Sequence, residues 1–150
     1  MLRKAGRVVV SAAVVALAVS ALALPADAAS PIRFGRIQYD SPGTDTHTSA
    51  SLNGEYFTVT NTGSVTQNIK GFTVRDPKNH VYTFTSFNLG AHKSVRVHTG
   101  KGTNTATNRY WGQGSMVWNN TGDTATMKNA SGVKIESCAW KKDAPGYTNC

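Results

Sequence analysis

Acidic side chains are scarce in this sequence. Eight aspartates and glutamates stand against 16 lysines and arginines in 150 residues, a formal net charge of +8 at pH 7. A field of that sign favours anionic partners: nucleic acid, phosphorylated wall polymers or lipid head groups. Beyond residue 28 the carboxylates are Asp40, Asp45, Glu55, Asp76, Asp123, Glu136 and Asp143, all isolated from one another. No D-x-D-x-D loop is present to wrap calcium. A carboxylate pair for glycoside cleavage would have to be assembled by the fold. Asp123, beside Gly122 at an expected hairpin tip, reads as a cap on backbone N–H groups.

Cysteine is nearly missing as well, with only Cys138 and Cys150. A reactive thiol pair would want C-x-x-C spacing. In an oxidising compartment two such residues close as a disulfide. The ring around AWKKDAPGYTN, with Pro145-Gly146 as its turn, would staple the carboxyl-terminal tail and contribute about 3 kcal/mol.

Catalytic motifs are also wanting. The four histidines are His47, His80, His92 and His98, and none lies in G-x-S-x-G or H-E-x-x-H. His92 and His98 share the parity of Arg96, opposite Val95 and Val97, and so are expected to face solvent. Six residues apart on a continuous strand they would be about 20 Å apart, too far to share a metal ion. No metal, no cofactor and no catalytic residue is expected. The stretch GKGT (Gly100 to Thr103) is not a Walker loop, because its lysine lies between the glycines and no helix follows.

There is one long apolar run, at the start. Arg3, Lys4 and Arg7 precede Val8 to Leu24, 17 residues without charge; Pro25 ends the run, and Ala26-Asp27-Ala28 is a small-x-small site. Residues 1–28 read as a secretory signal peptide cut near Ala28-Ala29. The rival, a permanent membrane helix, is disfavoured by a length at the lower edge of a span and by richness in alanine. Without the leader, 122 residues remain (150 less 28), basic residues fall from 16 to 13 and acidic ones from 8 to 7. The balance is +6. One secreted domain, residues 29–150, is expected, with no stable membrane span after cleavage.

After Ser30 no segment keeps a helical period. Short alternating runs take over: IRFGRIQYD, EYFTVTN with Phe57 and Val59 on one face, NIKGFTVRD with Phe72 and Val74, HVYTF, FNL, SVRVH with Val95 and Val97 inward, MVW, TATMKN with Ala125 and Met127, and GVKIESC with Val133 and Ile135. Residues 41 to 53 read as a loop. Asn-Ala-Ser-Gly, ending at Gly132, reads as a hairpin loop. The pattern predicts an all-β, antiparallel β-sandwich or small barrel of about eight or nine short strands.

Four segments in order, LNGEYFTVTNTGS, GFTVRDPKNHVYTF, VRVHTGKG and VWNNTGDTATMKNASG, resemble the lamin-tail domain family. The similarity is strongest to its small secreted bacterial members and runs from about Ile32 to Cys138. It implies an immunoglobulin-like β-sandwich. Phe72 stands where the family usually has Trp. Asn79, in the turn Pro77-Lys78-Asn79, replaces a more glycine-like residue and can adopt the same left-handed backbone. The resemblance carries over no catalytic residues. It implies a binding surface for protein or nucleic-acid partners, or an adaptor role beside exported hydrolases.

The first functional expectation is therefore a non-catalytic binding or structural module contacting an anionic polymer or a protein. Its candidate contacts are Arg96, Lys101, Arg109 and Tyr110, with Trp111 as a further stacking face: cations on a glycine-rich turn beside aromatics, as in sequence-tolerant single-strand binders. The competing reading of that stretch is structural and ranks first. Thr103 to Asn108 is a polar crossover, Trp111 a core anchor, and Gly112 and Gly114 a bend. The alternatives are a secreted phosphodiesterase or nuclease with His92 or His98 as base, and a glycan-binding module using Tyr56, Tyr82 and Trp140.

Overall fold

The computed structural model describes residues 29–142 and 145–150, so the expected leader lies outside the described residues. Within them the chain forms eleven strands and one short helix, two or three strands more than the sequence pattern suggested. The extra ones are two- and three-residue strands too short to show a period.

The strands are β1 (Ile32–Gln38), β2 (Tyr56–Asn61), β3 (Gln67–Asn68), β4 (Thr73–Arg75), β5 (Val81–Thr83), β6 (Asn88–Leu89), β7 (Ser94–His98), β8 (Asn108–Tyr110), β9 (Gly122–Lys128), β10 (Lys134–Lys141) and β11 (Tyr147–Asn149). A five-stranded sheet runs β11-β1-β2-β7-β8, a four-stranded sheet β10-β9-β4-β5, and β3 pairs with β6. Each large sheet turns alternate residues inward, as period-2 strands wetted on one side must. Phe57, Val59, Val95 and Val97 come from one sheet and Val74, Ala125 and Met127 from the other, all fully buried. Phe57 lies at the centre, meeting Phe34, Tyr82, Trp111 and Trp118 edge to face at 5.8 to 6.4 Å. Such contacts add to plain area burial. The two layers make an immunoglobulin-like β-sandwich.

Several local expectations hold. Asn79 takes φ 70° and Gly132 φ 81°. Asp123 accepts backbone N–H groups of Asn119 and Thr124 at 3.1 and 2.8 Å. The disulfide Cys138–Cys150 is formed, with Cα atoms 5.9 Å apart. It does more than hold the tail: it ties β10 of one sheet to the end of β11 in the other.

Others need correction. Within the supposed loop 41–53 begins a helix, α1 (Ser49–Gly54), whose cap Thr48 accepts from Ser51 N–H and whose Leu52 is buried. Six residues are too few to show a helical period. MVW is not a strand, because the Val117 and Trp118 N–H groups donate to the Glu55 carboxylate rather than to a neighbouring strand. Val133 is 60% exposed. A register shift between Lys134 and Glu136 puts Cys138 and Trp140 on the inward parity instead. The β7–β8 pair is parallel, joined by the exposed crossover from Lys101 to Thr107.

Candidate polyanion-binding face

The outer surface of the five-stranded sheet is built by strand register. In β1 the pairing slips between Phe34 and Ile37, so that Thr58 of β2 lies opposite Gly35 and Arg36. This bulge keeps Phe34 and Ile37 both inward and turns Arg36 out. One row then crosses all five strands: Asn149, Arg36, Thr58, Arg96, Asn108. The next row is aromatic: Tyr147, Gln38, Tyr56, His98, Tyr110. At sheet spacings each row is about 19 Å long and the two lie about 6.7 Å apart.

The rows interlock. The Arg36 guanidinium lies 3.8 Å from the Tyr147 ring centroid, and that of Arg96 lies 4.1 Å from Tyr56. A guanidinium laid on a ring is held by the ring quadrupole, yet its other face stays open and its remaining N–H groups can donate, Arg36 Nε alone being directed to Asn149 Oδ1 at 3.4 Å. Beside Arg96 a shallow depression is lined by Thr58, Ser94, Thr107 and Asn108. His98 stacks on Tyr110 at 5.0 Å. Its Nδ1 lies 2.8 Å from Asn53 O and its Nε2 2.9 Å from Asn108 Oδ1.

The four expected contact residues do not form one cluster. Arg96 and Tyr110 share this face, and Lys101 lies in the exposed crossover beside it. Arg109 pairs with Val97 and so points inward. Its guanidinium lies 4.3 Å from the Phe87 ring, and its Nε is buried without a hydrogen-bond partner. It covers the core edge near Tyr82. Burial raises the Tyr82 hydroxyl pKa, and the Arg109 charge partly offsets that.

The glycines of the opening turn serve close packing. A Cβ on Gly102 would come within 2.4 Å of the Tyr110 ring, and one on Gly100 within 2.6 Å of Asn53 Oδ1. Trp111 packs, partly buried, against the core, and Gly112 bends with φ +79°, so the structural reading of this stretch holds.

The residues named for the two alternatives fall in different places. Trp140 is buried and stacked on Tyr39 at 4.8 Å, and Tyr82 packs on Phe57 and Phe84. Of the three aromatics proposed for sugars, only Tyr56 is on an outer face. As for the histidines, His98 is half-buried with both nitrogens engaged rather than solvated. His92 precedes β7, exposed, at φ 56°. Among the described residues no three His, Cys, Asp or Glu side chains converge where they would hold a metal.

Arg36, Tyr147 and Asn149 escaped the sequence reading. The signal for Arg36 was there: apolar residues at 32, 34 and 37 break a strict alternation and mark a bulge. Nothing local marked β11, which the disulfide places.

The carboxylates explain why this face is so positive. Glu55, fully buried, accepts from Thr99 Oγ1 at 2.6 Å and from the N–H groups of Val117 and Trp118 at 2.8 and 3.2 Å. Desolvation raises its pKa to about 7 against these lowering hydrogen bonds. Asp76, also buried, accepts from His80 N–H, with His80 Nδ1 2.7 Å away. Glu136 accepts from Phe34 N–H at 2.6 Å, across the sandwich. Asp123 binds its own turn, and Asp40 takes the Asn120 amide at 3.0 Å. The single ion pair among the described residues is His80–Asp76. Lysine and arginine charges are left without carboxylate partners there.

A family model described as Lamin Tail Domain matches residues 25–142. The chain belongs to that family. No curated protein is significantly similar to it in sequence. The lamin-tail domain is a non-catalytic immunoglobulin-like module, and the two packed sheets have that architecture. Among the described residues no helix is long and apolar enough to cross a membrane.

Proposed function

We propose that this lamin-tail module is an exported, non-catalytic binding protein that holds a linear polyanion across the outer face of its five-stranded sheet. The supporting observation is the segregation of charge. Every described carboxylate on a strand, Asp123 and Glu136, takes an inward position, whereas Arg36 and Arg96 are turned out and flat. Exposed ion pairs would have neutralised these cations cheaply, and no lysine or arginine among the described residues makes one.

The two rows favour single-stranded nucleic acid within that class. Arginine planes offer both a stacking surface for bases and N–H donors for phosphates. The Arg36 and Arg96 Cα atoms, two strands apart, lie about 10 Å from each other. A wall polymer with phosphates alone would use the arginine row and leave the aromatic row idle.

The experiment is a titration of oligo-dT, duplex DNA and wall teichoic acid against residues 29–150 at two salt concentrations. Oligo-dT binding is expected, weakening with salt. The log–log slope should fall by about 1.4 in the Arg36→Gln/Arg96→Gln variant, about 0.7 for each lost contact to a single strand. Binding that ignores salt, or a double variant with an unchanged slope, would overturn the reading. Preference for teichoic acid would move the ligand to the other polymer.

A further inference from the structure

The outer surface of the four-stranded sheet is also cationic. Strand pairing sets Lys134 beside Lys128, Thr73 and Thr83 in one row, and Ser137 beside Thr126, Arg75 and Val81 in the next. Ala139 faces Thr124, and Lys141 ends the sheet opposite Gly122. Arg75, Lys128, Lys134 and Lys141 therefore share a surface of small hydroxyl-bearing residues. The two carboxylates of these same strands, Asp123 and Glu136, occupy the inward parity, opposite Trp140 and Met127. The Arg75 guanidinium is held by the Asn79 side-chain carbonyl, an uncharged partner. Beside it a depression is lined by Asp76, Pro77, Thr124, Thr126 and Lys128, the Asp76 carboxylate there being buried and turned to His80 N–H.

This surface points away from the arginine–tyrosine face, because the two belong to opposite outer sides of one sandwich with sheets about 10 Å apart. A short strand lying on one face cannot lie on the other without rounding a sheet edge. One edge is closed by the Cys138–Cys150 link between β10 and β11. At the other, β8 is covered by its own crossover: Asn108 N–H donates to Thr105 Oγ1, Thr105 N–H to Asn108 O and Tyr110 N–H to Asn104 Oδ1.

We infer that the protein bridges two polyanion strands, one on each outer face of the sandwich. This rests on the polyanion reading of the five-stranded face and adds a second, independent surface to it. The chemistry of the two differs. The four-stranded face has ammonium groups, one guanidinium and hydroxyls but no outward aromatic ring, so it recognises phosphodiester charge without stacking. It is the weaker and more salt-sensitive of the two.

The test mixes donor-labelled and acceptor-labelled dT8, short enough to lie on one face, with residues 29–150 at low salt and reads energy transfer, while anisotropy reads binding of one strand. Transfer is expected with the wild type at substoichiometric protein and should vanish at high salt. In the variant carrying R75Q, K128Q, K134Q and K141Q, transfer should drop at least fivefold while single-strand anisotropy is retained. The exposed pair K134Q/K141Q, measured with its melting temperature, keeps the test valid should the fourfold variant not fold, and there transfer should at least halve. Wild-type binding without transfer overturns the bridging inference and leaves the polyanion reading standing. Transfer that persists in the lysine variants, or that follows a protein dimer seen by sedimentation, also overturns it. Absence of any binding removes the reading beneath both.

Discussion

Glu55 carries more of the fold than any other single carboxylate. Its oxygens gather donors from the end of β7 and from the segment at Val117 and Trp118, while its own carbonyl accepts Thr99 N–H at 3.0 Å. Glu55→Ala would strand three buried donors, a loss of about 3 kcal/mol in a urea titration. The acid also makes stability depend on pH. Burial raises its carboxyl pKa to about 7 when folded, against an ordinary value of 4.5. The folded state thus holds the proton more tightly, and this contribution is full below 4.5 and lost as pH rises through 7. Wild-type stability should fall by up to about 3 kcal/mol from pH 4.5 to 8 relative to Glu55→Gln, whose side chain cannot titrate. An equal slope in both proteins would contradict the assignment. Two glycines give a contrast at the same scale. Gly102→Ala forces a Cβ into the Tyr110 ring and should cost about 1 to 3 kcal/mol. Gly112→Ala meets nothing within 4 Å but is strained at φ +79°, with an expected cost of about 1 kcal/mol. Thermal denaturation measures both costs, and near-ultraviolet dichroism distinguishes the two, since only Gly102→Ala should disturb the signal of Tyr110.

Strand parity decides what each element contributes. On β7 Arg96 is outward over Tyr56, and on the neighbouring β8 Arg109 is inward over Phe87. Arg96→Gln should weaken oligo-dT binding and cost only about 0.5 kcal/mol of stability, the lower end for an exposed cation over a ring. Arg109→Gln should lower stability by about 1 kcal/mol, the worth of a cation on an aromatic face, and leave the salt slope of binding as it was. A reversed pattern, followed by anisotropy and calorimetry, would show that the register is misread. β11 is the element most dependent on a covalent bond. It is three residues long and pairs only with β1. Reduction, or Cys138→Ser with Cys150→Ser, should cost about 3 kcal/mol by the loop-entropy account. It should also raise amide exchange at β11 before other strands, and remove Tyr147 from under Arg36.

For the whole molecule, the arrangement of charge matters more than its sum. The chain's net positive charge could have been dispersed in surface ion pairs; instead the described carboxylates are spent on backbone N–H groups, amides, one hydroxyl and one histidine. That leaves two opposed cationic surfaces around a common apolar core. Their separation makes binding and bridging separate properties, which the face-specific variants above tell apart.

Much of this was legible in the residues. The alternation in EYFTVTN, SVRVH and TATMKN determined which side chains are buried, because a period of two admits only one apolar face. The turn residues Asn79 and Gly132 announced their left-handed backbones, and the lone cysteine pair announced its bond. The four quoted segments in order pointed to the family. Local pattern could not reveal where regularity breaks: the β1 bulge that turns Arg36 out, the slip in β10 that exposes Val133, or the six-residue helix at Ser49. Nor could it join residues distant in the chain. Tyr147 meets Arg36, Glu55 meets Trp118 and Glu136 meets Phe34 only after the sheets pair and stack. Composition gave the sign of the charge; which cations share a face was decided by register, since a shift of one residue moves a side chain from one side of a sheet to the other.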